Sequence, residues 1–385
     1  MRTALVSSFH EQASLCRSLG APLLSDTLSY AAHAMQVGCV EGDFLWRLLG
    51  PYLPTQERLR ASRPALRWSA AWHYGALAQH EGAHELRALL PTCGHFESVE
   101  GRQVVLAAHS YLRTDQGRRV LERFMQRSVP QTNEVGRSVG FVLGMQRIQR
   151  YLREVEGYTG PIRVREIGSS AGLCMLLPHI QYRLHNEHSS VTLGDPDSEL
   201  VLESHVTGDT AKVTDFLQSC EWFECESVQG CDLQPVVLDE KGKRTLRAFV
   251  WPDEYERMQR LEKAMDLMTA LHPIQDSEIV QTCDAADFTR AQVTLHQQQQ
   301  RQDRVPLVFC HSVVAEYFDD ETEAQVAACV SNSTQVFRIA VERSSRDQVP
   351  LDITVTGHKN FLRWSDSANC SRLQMNTRGT ACAVL

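Results

Sequence analysis

Residues Ile162 to Leu173 read Ile-Arg-Val-Arg-Glu-Ile-Gly-Ser-Ser-Ala-Gly-Leu, and Cys174, Met175, Leu176 and Leu177 follow. An alternating apolar run, two glycines among small residues and a second apolar run predict a strand, a tight turn and a helix. A glycine turn lets the backbone approach a ligand closely, and a helix N-terminus presents its N–H groups to that ligand. Glu166 falls where the strand ends. The chemistry expected of such a unit is that of a nucleotide or cofactor pocket at the carboxyl edge of a parallel sheet.

The same residues satisfy two unrelated motifs. Gly168 and Gly172 with Ser170 between them fail the dinucleotide pattern G-x-G-x-x-G. They are similar to the acidic-x-Gly-x-Gly-x-Gly loop of class I S-adenosylmethionine methyltransferases, in which Glu166, Gly168 and Gly172 match and Ser170 replaces the middle glycine. They also spell G-x-S-x-G, a nucleophile elbow with Ser170 as the nucleophile. Asp284 or Asp287 and His311 or His358 would then complete a triad. No His-Gly-Gly-Gly loop precedes the motif, and the preceding chain reads as helical, so the cofactor loop is the favoured reading. S-adenosylmethionine is the cofactor it implies. A non-catalytic ligand-binding or scaffold protein of the same fold is the rival from another class.

If the loop holds a nucleoside, the next strand should end in an acid for the ribose hydroxyls. Asp232 fills that place after an insertion at about 178–224, which contains the turn-rich Gly194-Asp195-Pro196-Asp197-Ser198. Asp284 or Asp287 would accept from an exocyclic amine, although one aspartate there also suits a helix N-cap. His311, at the end of the fourth strand, faces the transferred group and is the general-base candidate. Trp251, opening a long helix, reads as core.

These side chains need a frame. Up to about residue 157 the spacing is helical: Ser8–Gly20, Thr27–Val37 capped by Ser25-Asp26, Asp43–Leu49, Pro64–Leu90, Val99–Leu112, Gly117–Arg127 and Asn133–Tyr151. Gly157, Gly160 and Pro161 mark a boundary. Beyond it, strands are predicted at Ile162–Ile167, Cys225–Cys231, Glu278–Thr282, Pro306–Cys310, Thr334–Val341 and Leu351–Thr356. Helices are predicted between most of them, at Gly172–Leu184, Asp253–Leu271 and Glu321–Ser331. The expected architecture is α/β: a helical N-terminal region, 1–157, covering the pocket, and a doubly wound, mainly parallel Rossmann-like sheet of methyltransferase type over 158–385.

Composition narrows the partners. At 385 residues, two domains are expected. A net charge of −8 without a basic stripe argues against a dedicated nucleic-acid surface. The 12 cysteines form no Cys-x-x-Cys pair, so no metal site is expected. No apolar run reaches the length of a membrane span, and Met1–Phe9 lacks the pattern of an export signal. Reduced thiols in a cytoplasmic protein are the expectation.

Five motifs then stand in one order: Gln131-Thr132-Asn133-Glu134-Val135-Gly136-Arg137, Glu166 to Leu173, Gly194 to Ser198, Asp232-Leu233-Gln234-Pro235 and Phe249-Val250-Trp251-Pro252-Asp253. Together they resemble the DUF2332 family, a mainly bacterial group, over roughly residues 10–340. The resemblance implies a helical region before a Rossmann-like, methyltransferase-type domain, with no established reaction or substrate. The chain departs from the family at Cys174-Met175, where Asn-Leu is usual, and after about Asn360, where a His-Gly-x-Trp-like segment is expected. Gln131, Asn133, Glu134 and Arg137 are expected to roof the pocket from the helical region.

Overall fold

In the computed structural model, which describes residues 1–55, 59, 62–126, 130–272, 279–300, 304–343, 351–362, 373–375 and 381–384, helices dominate the chain up to Gln126. They are α1 (Arg2–Ser18), α2 (Pro22–Val37), α3 (Val40–Leu49), α4 (Pro64–Leu77), α5 (His84–Arg87), α6 (Gly101–Arg113) and α7 (Asp115–Gln126). Prolines open α2 and α4, where a missing N–H costs nothing, and Gly38 closes α2 in the left-handed region at φ 73°. Two expectations shift. Ser25 and Asp26 lie inside α2, because Pro22 starts the helix earlier. The stretch Pro64–Leu90 breaks after Leu77, where Gln79 takes a φ of 52°. Arg127 and Glu278, expected ends of a helix and a strand, lie outside the described residues.

Met1–Thr132 and Leu238–Glu262 make up one compact unit. Its core is aromatic: Trp68 meets Trp72 edge-on at 5.9 Å, and Phe124 packs on Phe249 at 5.5 Å. Asp253 caps α2 from a distance, its carboxylate accepting the Leu23 N–H at 2.9 Å.

The second unit comprises Asn133–Val237 and Lys263–Leu385. It begins with α8 (Ser138–Glu156), β1 (Ile162–Ile167), β2 (Gln181–His185), β3 (Ser190–Gly194), β4 (Val201–Gly208), α9 (Thr210–Ser219) and β5 (Cys225–Asp232). Then come α10 (Glu240–Phe249) and α11 (Tyr255–Leu271), of which the residues up to Glu262 count with the first unit. The second unit continues with β6 (Val280–Thr282), α12 (Ala285–Gln298), β7 (Leu307–Ser312), α13 (Asp320–Ser331), β8 (Val336–Glu342), β9 (Leu351–Gly357), β10 (Leu373–Met375) and β11 (Ala381–Val384).

All these strands join one 11-stranded sheet in the order β3-β2-β4-β11-β10-β9-β8-β7-β1-β5-β6. The five neighbours β6, β5, β1, β7 and β8 run parallel, and β9 is antiparallel to β8. Strands appear at all six predicted places. The helix expected over Gly172–Leu184 does not form. A 3₁₀ turn, Leu173–His179, contains Pro178, whose ring and missing N–H stop a helix, and β2 follows at once. The expected insertion at 178–224 supplies β2, β3, β4 and α9, and so widens the sheet.

Strand alternation explains the layering. Phe337, Ile339 and Val341 of β8 face α8: Tyr151 packs on Phe337 at 5.9 Å, and a Cβ on Gly144 would stand 2.7 Å from Ile339. Gly140 likewise admits Val341 and Met375. Arg338, between them, points the other way to Glu323 of α13, at 2.6 and 2.8 Å. Helices therefore cover both faces. The helix α8 packs on the sheet, and residues 133–156 belong to the second unit.

Candidate site at the carboxyl ends of β1, β5 and β7

The strand order reverses at β1, which has β5 on one side and β7 on the other. A crevice opens at such a point, outside the carboxyl ends. The loop that leaves β1 is built from left-handed residues: Gly168 at φ 69°, Ser170 at φ 55° and Gly172 at φ 76°. For the two glycines this costs little. For Ser170 it costs roughly 1–2 kcal/mol, so other groups must hold it.

Asp232, at the end of β5, does that. Its Oδ2 accepts the Ser170 N–H at 2.9 Å and its Oδ1 the Gln234 N–H at 2.8 Å. Ser169 donates to the Cys231 carbonyl from its N–H at 3.0 Å and from Oγ at 3.1 Å. The Val236 N–H donates to the Ser170 carbonyl at 3.1 Å. Gly230 is required here, since a Cβ would meet Ser169 Oγ at 2.3 Å. A helix N-terminus was expected to complete the cradle; the 3₁₀ turn at Leu173–His179 replaces it.

Glu166 is buried, with 6% of its surface exposed. Burial pushes its carboxyl up to about 8, the Asp232 charge adds to the rise, and the Cys174 thiol opposes it. Among the described residues neither Glu166 Oε2 nor Ser170 Oγ has a hydrogen-bond partner, though both are buried. Such atoms are expensive to leave unpaired and are rare without a reason. The Cys174 thiol, raised well above its usual range chiefly by burial, also lies 3.7 Å from the Glu134 carbonyl.

Two of the expected roof residues, Glu134 and Arg137, stand beside Cys174. Glu134 accepts the Gly136 N–H at 3.1 Å and so opens the turn before α8. Arg137 Nη1 donates to Ser312 Oγ of β7 at 3.5 Å. Asn133 Nδ2 is buried without a partner among the described residues. Gln131 is half-buried and belongs to the first unit.

His311 is fully buried and both its ring nitrogens are engaged. Arg338 Nε donates to Nε2 at 2.8 Å, so the ring proton belongs on Nδ1, which donates to Glu342 Oε1 at 2.7 Å. That carboxylate oxygen also accepts the N–H groups of Val314 and Ala315, at 3.0 and 3.2 Å. Burial works against the charge on Glu342, but these donors outweigh it and hold the carboxyl below its usual range. Val313, which precedes them and follows Ser312, has φ 54°, a position a β-branched residue enters only under constraint. The cost, roughly 1–2 kcal/mol, is matched by hydrogen bonds to a charged acceptor at about 1.5–3 kcal/mol each. As placed, both His311 nitrogens are taken up by Arg338 and Glu342.

The remaining acids are placed at helix starts. Asp284 caps α12, its Oδ1 accepting from Ala286 at 2.8 Å and Asp287 at 3.4 Å. Asp287 is exposed and pairs with Arg290 at 2.7 Å. His358 lines a separate cavity of about 360 Å³ with Tyr151, Arg304 and Gln335, at the amino end of β8. No imidazole reaches Ser170 among the described residues, so no Ser-His-acid triad is assembled around it. Sequence reasoning missed Ser312 and Glu342, because Glu342 meets His311 across 31 residues and no local pattern ties the two.

Among the described residues, no cluster of three or more His, Cys, Asp or Glu is poised to hold a metal ion, and no helix is long and apolar enough to cross a membrane. No curated protein and no solved structure matches the sequence. The family described as "Uncharacterized protein conserved in bacteria (DUF2332)" matches residues 6–373, which carry the loop after β1, the end of β5 and the Glu342 clamp, and the chain belongs to that family.

Proposed function

We propose that the second unit binds S-adenosylmethionine, or a closely related adenosine-bearing molecule, in the crevice between β1, β5 and β7, and that it transfers a methyl group in the manner of class I methyltransferases. One observation carries this reading. A loop of three left-handed residues leaves β1 at the point of strand reversal, flanked by the acids that end β1 and β5. Gly168 and Gly172 allow close backbone approach. Each Asp232 oxygen, with one backbone donor taken, keeps a lone pair for a ribose hydroxyl. The second oxygen of Asp284 is available to an adenine amine. Glu166 Oε2 and Ser170 Oγ, buried and unpaired, gain partners when a polar ligand enters. The cofactor supplies the electrophilic methyl group; the chain binds, orients and excludes water.

The test is calorimetry on the whole protein with S-adenosylmethionine, S-adenosylhomocysteine and NAD. Binding of the first two but not NAD is expected, with Asp232→Ala weakening it by at least about tenfold, the loss of a charge-assisted hydrogen bond. No heat at millimolar ligand overturns the proposal. Labelling of Ser170 by a fluorophosphonate would turn the site toward acyl transfer.

A further inference from the structure

The turn after β7 is a strained segment with an unusual support. Val313 sits in the left-handed region, and the next two N–H groups converge on the single oxygen Glu342 Oε1. That oxygen is shared with His311 Nδ1, and His311 is fixed from behind by Arg338, itself held by both oxygens of Glu323. The chain of contacts runs from α13 through β8 and β7 to the turn. What the turn carries matters. Val314 packs so closely on the loop after β1 that a Cβ on Gly168 would stand 2.5 Å from its Cγ2. Ser312, on the near side of Val313, meets Arg137.

We propose that His311 and Glu342 form a buried strut that sets the Ser312–Ala315 turn as a wall of the candidate pocket, with His311 a positioning residue acting through its Nδ1–H on Glu342. The proposal rests on the reading of that crevice as the binding site. Without the strut Val313 relaxes, Val314 leaves Gly168 and the loop loses a side. The strut uses one ring nitrogen for each neighbour, so the two amide isosteres of histidine separate its parts. His311→Asn places an N–H donor near Nδ1 and keeps the link to Glu342. His311→Gln places an acceptor near Nε2, keeps the link to Arg338 and loses the link to Glu342. General-base chemistry would fail equally in both.

The experiment combines hydrogen–deuterium exchange over residues 312–317 in the ligand-free protein with calorimetry using S-adenosylhomocysteine, after thermal melts show each variant folded. Glu342→Ala and His311→Gln are expected to raise exchange in that peptide by about tenfold or more, the first because the amides lose their charged acceptor and the second because that acceptor is no longer held in place. They should weaken binding by about tenfold, as displaced supports of a site do. His311→Asn should stay near wild type in both readouts. Equal exchange in the Asn and Gln variants overturns the strut, and so does loosened exchange with unchanged affinity. If wild type itself binds no S-adenosylhomocysteine, the functional reading fails, while the exchange comparison of the two isosteres still decides the strut. If Glu342→Ala does not fold, the isostere pair decides alone.

Discussion

Glu166 is a carboxylic acid at neutral pH because burial outweighs every group that would favour its charge. The consequence for stability has a definite sign. Its folded value, about 8, lies above the ordinary value of 4.5, so between those limits the folded chain holds a proton that the unfolded chain releases. Stability from this residue is full below about 4.5, falls as pH rises through the window and is gone above about 8. Glu166→Gln should therefore remove a pH-dependent loss on the order of a few kcal/mol. Denaturant titrations at pH 5 and pH 8 check it; an unchanged pH dependence in the variant would refute the assignment. At this scale the sequence was informative where chemistry is local. The strand–turn pattern placed Glu166, Gly168 and Gly172 at the end of β1, and the expected acid at the end of the next strand placed Asp232 at the end of β5, where those strands do end. The partners of His311 were not legible there, because Arg338 and Glu342 lie 27 and 31 residues away.

At the scale of elements, the six core strands were legible because each is a short apolar run between turn signals. β4 was not. It alternates inward positions at Leu202, Ser204 and Val206, and the serine breaks the apolar pattern. Ser204 is tolerated inside because Cys382 Sγ meets its hydroxyl at 2.9 Å. The predicted helix after Gly172 failed on a single residue, Pro178, which ends the turn and leaves Tyr182 and Leu184 to pack as strand residues. Helix α8 shows the opposite case, a clear helix whose glycines are demanded by its neighbour. Gly144→Ala would favour the helix by propensity, yet its Cβ would stand 2.7 Å from Ile339. Overpacking should win, costing about 1–3 kcal/mol. A thermal melt of the variant, with Gly50→Ala as the unobstructed control, reads the difference.

At the scale of the molecule, the first unit is completed by a segment that returns to it more than a hundred residues later. Phe249 of α10 fills the core beside Phe124, and Thr245 takes a hydrogen bond from Arg123 at 2.5 Å. Phe249→Ala should cost about 3–5 kcal/mol in a denaturant titration; a change below about 1 kcal/mol would mean the segment is only laid on the surface. Sequence spacing placed the helix-to-strand switch but not this return, since nothing in residues 238–262 names the helices they join. The sheet holds a similar debt to distance. β4 pairs with β11, and Thr207 bonds the Cys382 carbonyl 175 residues on. During synthesis, at about 5–20 residues per second, β4 therefore waits roughly ten to thirty-five seconds with that edge unpaired. An edge left bare so long is a template for foreign strands, so the nascent chain is exposed to aggregation until β11 emerges and pairs, and slower translation should lower the soluble yield.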